Sequence, residues 1–528
     1  MRAGFEKLWR ALGWCAALLA ALPAAGLWAA SLGSSAAFDP STFLEKLTVV
    51  SHSRLLTLGG SLLLAAALGA AALCGGVGRR VRQMPCHTER ASSRPARLLC
   101  RPAVWAALGT AALGAVYGLS LHSHPVNDQA EVWSLAVALA AGEFGPVNWD
   151  YFTMYPYQAG MALCLEPLVR LFGADPYPAF ALCNALCAGA CAAAAAVLAG
   201  LLQKGADRVC GLLCLLFFPL ALSSSFLYGT MAGTACALWA VCGAVQLCRG
   251  GSRRWWLAVA LLLPAVVLYS GMQVFALAVC LVLGLDALRG RDRLPRLAAA
   301  AVLLAVCLSG PSLAQAAFSA RTGVVLGQGI PKSAWVYMGL TAAETNSAAG
   351  GYNSYPKQVF WANGADPAAA NAAVMADLRG WLAEFAADPA AKLPFFREKL
   401  LTEWLDPWFT SLTVTYQPET DVPGAFAALW CGGPLLAPAT ALLRVLCSFV
   451  YGAAAAGSVL TARRHKGAVW AALPGICFLG GFLFQIVWEN HARYCMPYFL
   501  CLLPLAAAAV CTAVSAPARK GENRGPDC

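Results

Sequence analysis

The sequence predicts an all-α polytopic membrane protein of about twelve transmembrane helices, with interfacial helices and a mainly helical extracytoplasmic segment. Hydrophobic residues occupy 59% of the 528 positions and charged residues only 12%, whereas a soluble chain has about 25% charged residues. The mean hydropathy is +0.63. The apolar residues fall in blocks of roughly 17–25, the length that crosses a bilayer as a helix. This composition excludes a disordered chain and a large water-soluble enzyme.

The basic residues indicate how these helices are oriented. Seven short clusters hold 25 of the 37 Lys and Arg residues, and apolar blocks separate them. The clusters lie at 2–10, 79–101, 204–208, 249–254, 289–296, 463–466 and 519–524. Because basic residues that flank a span stay on the cytoplasmic side, all seven clusters are predicted to face the cytoplasm. The formal net charge of +11 therefore reflects membrane topology rather than a nucleic-acid-binding surface.

This orientation fixes the predicted spans in chain order. They are 11–31, 52–76, 102–122, 179–202, 209–223, 229–248, 255–269, 271–288, 297–316, 434–462, 468–487 and 495–515. Both termini are then predicted to be cytoplasmic, in a plasma membrane. The first span has a basic start and an Ala-rich end, so a cleaved signal peptide is the alternative to the uncleaved anchor that we expect.

One apolar block, 156–172, is not predicted to cross. It contains Glu166 and Arg170, and charges near a bilayer midplane are costly. An oppositely charged pair at i and i+4 suits a helix that lies at the interface. We therefore expect this block to lie along the outer face.

The same boundaries divide the chain into five parts. We predict a two-helix hairpin with a basic cytoplasmic loop, a transmembrane core, an extracytoplasmic segment, a three-helix transmembrane region and a cytoplasmic tail. These parts span residues 1–101, 102–316, 317–433, 434–515 and 516–528. The first outer loop of the core covers residues 123–178.

No sequence motif predicts a cofactor or a metal. The sequence contains no Walker loop, no His-rich metal spacing and no Gly-x-Ser-x-Gly, so ATPase, zinc hydrolase and serine hydrolase functions have no support from the sequence. Most of the 22 cysteines lie in predicted spans, for example Cys183, Cys187 and Cys191. There they are expected to act as small apolar residues that let helices approach closely.

Asp128 is the candidate catalytic residue. It follows the third predicted span in Asn127-Asp128-Gln129, before an amphipathic stretch at 131–144 that is typical of a helix on the membrane surface. Asp128 and Glu131 match a capping box, in which side chains satisfy N–H groups at a helix start. A carboxylate there can also act as a general base, where a lipid-borne substrate meets a polar acceptor. Both interpretations stay open, since a cap also fixes the side chain.

Three basic residues are candidates for binding a phosphate. Arg493, in Glu489-x-x-x-Arg493, lies on the predicted outer side, against the bias of the basic clusters. Its planar guanidinium suits a phosphate, although an ion pair with Glu489 one helical turn away is the alternative. Lys332 and Lys399 are the candidates from the extracytoplasmic segment, where the predicted amphipathic helix 366–406 also carries charges as a solvated face.

Polar and aromatic residues of the outer segments are candidates for binding a sugar or an acceptor. Aromatic faces next to carboxyl and amide groups suit a sugar ring, although aromatic residues also form belts at the headgroup boundary. The candidates are Glu131, Asp150, Tyr155, Gln158, Tyr352, Asn353, Glu489, His491 and Tyr494.

These motifs together resemble the GT-C superfamily of membrane glycosyltransferases, which includes protein O-mannosyltransferases and aminoarabinose transferases. The resemblance covers residues 100–515 and is carried by an acidic residue after a span, a Tyr/Pro-rich interfacial helix and a Glu-x-x-x-Arg-Tyr motif. Here these are Asp128, Tyr155-Pro156-Tyr157-Gln158, and Glu489 with Arg493-Tyr494 and Pro497. The chain is most similar to uncharacterised members of Gram-positive bacterial type, which share Pro331-Lys332, Gly351-Tyr352-Asn353 and Lys399 with Trp404 and Asp406-Pro407.

The resemblance implies an inverting transfer of a sugar from a polyprenyl-phosphate donor to a hydroxyl of an envelope glycan, lipid or protein. It implies that Asp128 is the base and that Arg493, with Lys332, holds the donor phosphate. The family often carries two adjacent acids here, whereas Asn127 precedes Asp128 in this chain. A divalent cation therefore stays an open alternative to metal-free transfer.

Two other functions remain open from the residues alone. A transporter or flippase of lipid-linked saccharides needs polar groups near the midplane and often has internal repeats, but the predicted spans contain few charges. A non-catalytic scaffold for envelope assembly is the third alternative. We expect no nucleic-acid partner.

Overall fold

The computed structural model describes residues 2–38, 46–82, 101–121, 125–173, 175, 177–289, 293–342, 348–413, 424–430 and 432–522. Most of the predicted basic cytoplasmic loop (83–100), the start of the first outer loop (123–124) and the tail residues 523–528 lie outside the described residues.

The described chain is almost entirely helical, which confirms the predicted all-α class. In the first half the helices are α1 (Arg2–Ser31), α2 (Arg54–Arg82), α3 (Pro102–Ser120), α4 (Asp128–Ala141), α5 (Trp149–Met154), α6 (Ala159–Phe172), α7 (Tyr177–Leu202), α8 (Ala206–Leu216), α9 (Pro219–Leu222) and α10 (Thr230–Cys248). Then follow α11 (Trp255–Val259), α12 (Leu262–Leu268), α13 (Gln273–Ala287), α14 (Arg293–Thr322), α15 (Lys332–Gly339), α16 (Tyr355–Ala362), α17 (Pro367–Ala387) and α18 (Pro389–Trp404). The last helices are α19 (Gly424–Ala427), α20 (Leu436–Arg464), α21 (Val469–Val487), α22 (Ala492–Phe499) and α23 (Leu502–Glu522). Three 3-10 turns, Pro156–Gln158, Ser223–Ser225 and Ser270–Met272, join neighbouring helices.

The number of membrane spans agrees with the prediction only in part. Within the described residues, nine helices are long and apolar enough to cross a membrane, and the number reaches eleven if two bent helix pairs each count as one span. One bent pair is Ala206–Leu216 with Pro219–Ser225, bent by 59°. Pro219 starts its second half, because proline lacks an N–H and cannot continue a helix. The predicted span 255–269 corresponds to the shorter apolar stretch Trp255–Leu268 and is not confirmed.

The transmembrane core is built around α7, which packs against α3, α8 and α10. Small residues allow this close packing, since a Cβ added to Gly189 would lie 2.6 Å from the carbonyl oxygen of Ala107. Helices whose backbones approach this closely gain van der Waals contact that lipid cannot supply. A second group of contacts joins α20 to α1 and α23, so the N-terminal helix is part of the same bundle.

A short β-hairpin connects α1 and α2, and the sequence analysis does not predict it. Strands β1 (Ser34–Phe38) and β2 (Leu47–Ser51) pair antiparallel, with Ala36 opposite Val49. The N–H of Ala36 donates a hydrogen bond of 2.9 Å to the carbonyl of Leu405. The hairpin is thereby attached to the segment that follows α18.

The block 156–172, which the sequence predicts to be interfacial, forms the 3-10 turn Pro156–Gln158 and α6, whose 14 residues are too few to cross a bilayer as a helix. The predicted pair is present, with Arg170 Nε 2.6 Å from Glu166 Oε1. Arg321 at the end of α14 binds the same carboxylate, which is nearly buried. The Glu166 carboxylate therefore joins α6 to α14.

We predict that Glu166→Gln will lower the stability of the protein by about 1–3 kcal/mol, because it removes the negative charge that accepts three charge-assisted hydrogen bonds from Arg170 and Arg321. Arg321 and then Arg170 lower the pKa of Glu166, so the stabilisation is present at neutral pH and is lost as the pH falls through this pKa. The measurement is the unfolding midpoint in detergent against pH. Exposed Glu143 provides the control, and equal midpoints for Glu143→Gln and Glu166→Gln would contradict this role.

Candidate functional site

Asp128 is the first residue of α4, and its side chain does not cap the helix. Asn127 precedes the helix with φ 49°, and its side chain makes no capping hydrogen bond. Among the hydrogen bonds of the described residues, none joins the carboxylate of Asp128 or Glu131 to a backbone N–H of this helix. Glu131 instead accepts a hydrogen bond of 2.9 Å from Asn148. The capping-box interpretation is therefore wrong, and the Asp128 carboxylate is available for other contacts.

The surroundings of Asp128 favour a proton-accepting carboxylate. Water reaches the side chain. The side chains around Asp128, which form what we call the recess, nevertheless exclude enough solvent to raise the pKa of Asp128 above its ordinary value. The charge of Arg493 is the largest opposing influence, followed by the Tyr151 hydroxyl and the charge of Lys357. The structure therefore brings Asp128 and Arg493 into electrostatic contact.

Tyrosine side chains form the wall of this recess. Tyr151, Tyr155, Tyr157 and Tyr228 each have a pKa raised first by burial and further by the charge of Asp128. Tyr151 and Tyr155 contact each other with ring centroids 4.9 Å apart. The buried Tyr151 hydroxyl makes no hydrogen bond of good geometry with any described residue, and so none with Asp128. These tyrosines stay neutral, so they surround the carboxylate with hydroxyl groups and aromatic faces.

Arg493 lies in the first turn of α22, between two aromatic rings. Its guanidinium carbon is 5.1 Å from the ring centroid of Phe226 and 5.2 Å from that of Tyr494, distances typical of cation–π contacts. Arg493 donates a hydrogen bond of 3.4 Å to the Tyr494 hydroxyl, which donates to Glu489 over 3.5 Å. Because α22 begins at Ala492, Glu489 is not one helical turn from Arg493. The two groups are linked through Tyr494.

Two other predicted sugar- or acceptor-binding residues lie in the same recess. Gln158 is buried and donates a hydrogen bond to the Tyr228 hydroxyl. Tyr352 is close enough to influence the pKa of Tyr155, and the ammonium of Lys357 lies 5.7 Å from its ring centroid.

The remaining candidates lie outside the recess or at its edge. Asp150 and Lys332 are exposed, and neither is among the main influences on the pKa of Asp128. Asn353 stabilises its own turn, since it donates to the Ala342 carbonyl over 3.1 Å and accepts from the Tyr355 N–H. His491 packs against Tyr494, and its Nδ1 lies 3.5 Å from the Thr410 hydroxyl.

Lys399 is a structural residue, so its predicted phosphate contact is wrong. The side chain is completely buried, and its ammonium donates hydrogen bonds to the carbonyls of Gly339 and Trp488. Burial lowers the pKa of Lys399 to about 8, which leaves the ammonium mostly charged at neutral pH. Glu403 one turn later is also buried, and among the described residues nothing hydrogen bonds to its carboxyl oxygens.

The backbone closes tightly around this ammonium. Gly350 has φ 72°, and a Cβ there would lie 2.6 Å from the Gly339 oxygen and 2.9 Å from Lys399 Cδ. Only glycine fits such a left-handed, crowded position. Asn490 then joins the same group, with its N–H bonded to the Gly350 carbonyl and its side chain bonded to the Ala349 carbonyl and the Thr402 hydroxyl. The loop that precedes Arg493 is thus attached to α18.

Sequence analysis missed Tyr151, Phe226, Tyr228 and Lys357 as members of the site. Tyr151 belongs to an aromatic run that can be interpreted as a belt at the headgroup boundary. That interpretation gives no reason to expect Tyr151 beside Asp128. Phe226 and Tyr228 lie in a short turn between spans, where no motif identifies them. Lys357 follows Gly351-Tyr352-Asn353 closely enough that the run of polar and aromatic residues could have indicated it.

Across the residues that the structure describes, no group of three or more His, Cys, Asp or Glu side chains could hold a metal ion. No family model, curated protein or solved structure matches this chain.

We predict that Lys399→Met will lower the stability by about 3–5 kcal/mol, because it leaves buried carbonyls and the Glu403 carboxyl without the ammonium. The matched control is Lys392→Met on the same helix. Lys392 forms an ion pair of 3.0 Å with the exposed Glu384, which should contribute at most about 1 kcal/mol. The measurement is the unfolding midpoint in detergent, and a smaller effect at Lys399 than at Lys392 would refute the structural role.

Proposed function

We propose that this protein transfers a sugar from a polyprenyl-phosphate donor to an acceptor hydroxyl outside the cytoplasm, with inversion at the anomeric carbon. The observation that carries the proposal is the shared recess of Asp128 and Arg493, in which each charge influences the other across aromatic walls. The sequence resemblance to GT-C glycosyltransferases supports the same reaction class.

Asp128 is the general base in this proposal. A base works best when its pKa lies close to the working pH, and burial moves the pKa of Asp128 in that direction. Arg493, Tyr151 and Lys357 limit the rise, which favours the ionised carboxylate that a general base requires.

Arg493 is the group that holds the donor phosphate. Its guanidinium can make two parallel hydrogen bonds to phosphate oxygens, which Lys cannot do in the same geometry. The Phe226 and Tyr494 rings lie 5.1 and 5.2 Å from its guanidinium carbon, and these cation–π contacts help to position the group beside Asp128. Lys357 replaces Lys332 as the second basic residue, because it is the lysine whose charge reaches Asp128.

The reaction then proceeds in one displacement. The acceptor oxygen forms a bond to the anomeric carbon while the bond from that carbon to the phosphate oxygen breaks. The acceptor proton passes to Asp128, and the electron pair of the broken bond leaves with the polyprenyl phosphate. Arg493 stabilises the negative charge that develops on the leaving phosphate. Tyr155 and Tyr157 offer aromatic faces to the sugar ring.

We predict that Asp128→Asn will reduce transfer about 10²- to 10⁴-fold, because the amide cannot accept the proton. The assay supplies membranes with polyprenyl phosphates that carry radiolabelled hexoses or pentoses and measures label in envelope fractions. Asp150→Asn is the control, since Asp150 is an exposed carboxylate on the neighbouring helix α5. Wild-type transfer by Asp128→Asn at equal expression would overturn the base assignment.

The pH dependence of transfer provides a second prediction. Because the pKa of Asp128 is raised and the base must be ionised, transfer should decline on acidification at a higher pH than a free Asp, of pKa about 3.9, would give. Tyr151→Phe removes a group that lowers this pKa, so the decline should move to a higher pH. Tyr355→Phe is the control, because its hydroxyl binds Asp377 instead of Asp128. An unchanged profile in Tyr151→Phe would contradict the contact.

A further inference from the structure

A second cavity lies beneath the N-terminal hairpin. It encloses about 390 Å³, within the range of about 300–1,000 Å³ that small-molecule sites occupy. Its wall is mainly apolar and comes from β1 and β2, the segment after α18 and the start of α20. The apolar lining includes Ala36, Phe38, Leu47, Leu412, Trp430 and Leu436.

The cavity also contains a guanidinium that the described chain does not satisfy. Arg444 of α20 lines it, and the Nε atom of Arg444 is buried without a hydrogen-bond partner among the described residues. No described carboxylate lies within 4.0 Å of Arg444 to form an ion pair. A half-buried cation without a partner among the described residues is costly, and an anionic group bound in the cavity would offset that cost.

Asp406, the acidic residue of the cavity wall, does not compensate this charge. Its carboxylate oxygens accept backbone N–H bonds of 3.0 Å from Trp408 and 2.6 Å from Thr410, which stabilise the turn after α18. The Trp408 indole N–H is likewise bonded, over 2.9 Å, to the Thr440 hydroxyl. The polar groups of the wall thus bind one another and leave Arg444 facing the cavity.

The position of Arg444 along α20 corresponds to a membrane surface. The helix ends with Arg463 and Arg464, and about 20 residues of helix at 1.5 Å per residue separate these from Arg444 by about 30 Å. This length equals the thickness of the hydrocarbon core. With the terminal arginines at one surface, Arg444 lies at the level of the opposite lipid headgroups.

From these observations we propose that the cavity binds a lipid with an anionic phosphate headgroup. Arg444 holds the phosphate through its guanidinium fork, and the apolar wall of the hairpin and of α20 covers part of the chains. A free phosphate would leave that apolar wall unused. The cavity lies on the far side of the Thr410–His491 contact from the Asp128 recess, and its existence does not depend on the proposed transferase activity.

Lipid binding to the full-length protein in detergent tests the proposal. Native mass spectrometry and thermal unfolding are followed during titration with dioleoyl phosphatidylglycerol, dioleoyl phosphatidylcholine or inorganic phosphate. Phosphatidylglycerol should bind and raise the unfolding midpoint, and Arg444→Gln should weaken that binding about tenfold or more, the loss of a charge-assisted hydrogen-bond pair. Arg464→Gln, an exposed position on the same helix, should change it less than about twofold.

A second variant tests the proposal independently in case Arg444→Gln does not fold. Ala37→Phe fills the cavity from β1 without altering a charge, and it should also weaken phosphatidylglycerol binding. Asp128→Asn should bind the lipid as the wild type does, which separates this site from the proposed active site. Equal binding by wild type and Arg444→Gln, equal stabilisation by phosphatidylcholine, or equal stabilisation by inorganic phosphate alone would each overturn the proposal.

Discussion

The buried ammonium of Lys399 is the constraint on which the arrangement of α15, α18 and the loop before α22 depends. A charge without solvent costs several kcal/mol unless polar groups surround it. Here the carbonyls of Gly339 and Trp488 supply those groups, and Gly350 allows the backbone to close around them. Trp488 directly precedes the loop that leads to Arg493. The position of the candidate phosphate-binding guanidinium therefore depends on a lysine in a different part of the chain.

The recess keeps two opposite charges close without letting them neutralise each other completely. Burial raises the pKa of Asp128 more than Arg493 lowers it, so the carboxylate keeps its affinity for a proton. The aromatic rings of Phe226 and Tyr494 contact the guanidinium of Arg493 at distances typical of cation–π interactions. Such an arrangement suits a reaction in which one group accepts a proton while another receives developing negative charge.

The N-terminal hairpin links the first two helices to this outer region. Ala36 bonds to Leu405 directly after α18, the helix that carries Lys399. The same hairpin closes the Arg444 cavity, and Thr410, which lines that cavity, contacts His491 beside Tyr494. The cavity and the recess thus share the segment after α18, although each has its own arginine.

Composition and charge patterning determined the helical class, the membrane location, most of the spans and the Glu166–Arg170 pair, because hydrophobic length and i, i+4 spacing are local properties. The positions of charged residues relative to the predicted spans also identified Asp128 and Arg493 as candidates. Tertiary structure alone decided that these two meet, that Tyr151, Phe226 and Tyr228 surround them, and that Lys399 is buried while Lys357 reaches the recess. It also decided the hairpin and the position of Arg444, whose Nε has no hydrogen-bond partner among the described residues. Burial and long-range backbone contacts set these outcomes, and neither is encoded in the spacing of residues along one helix.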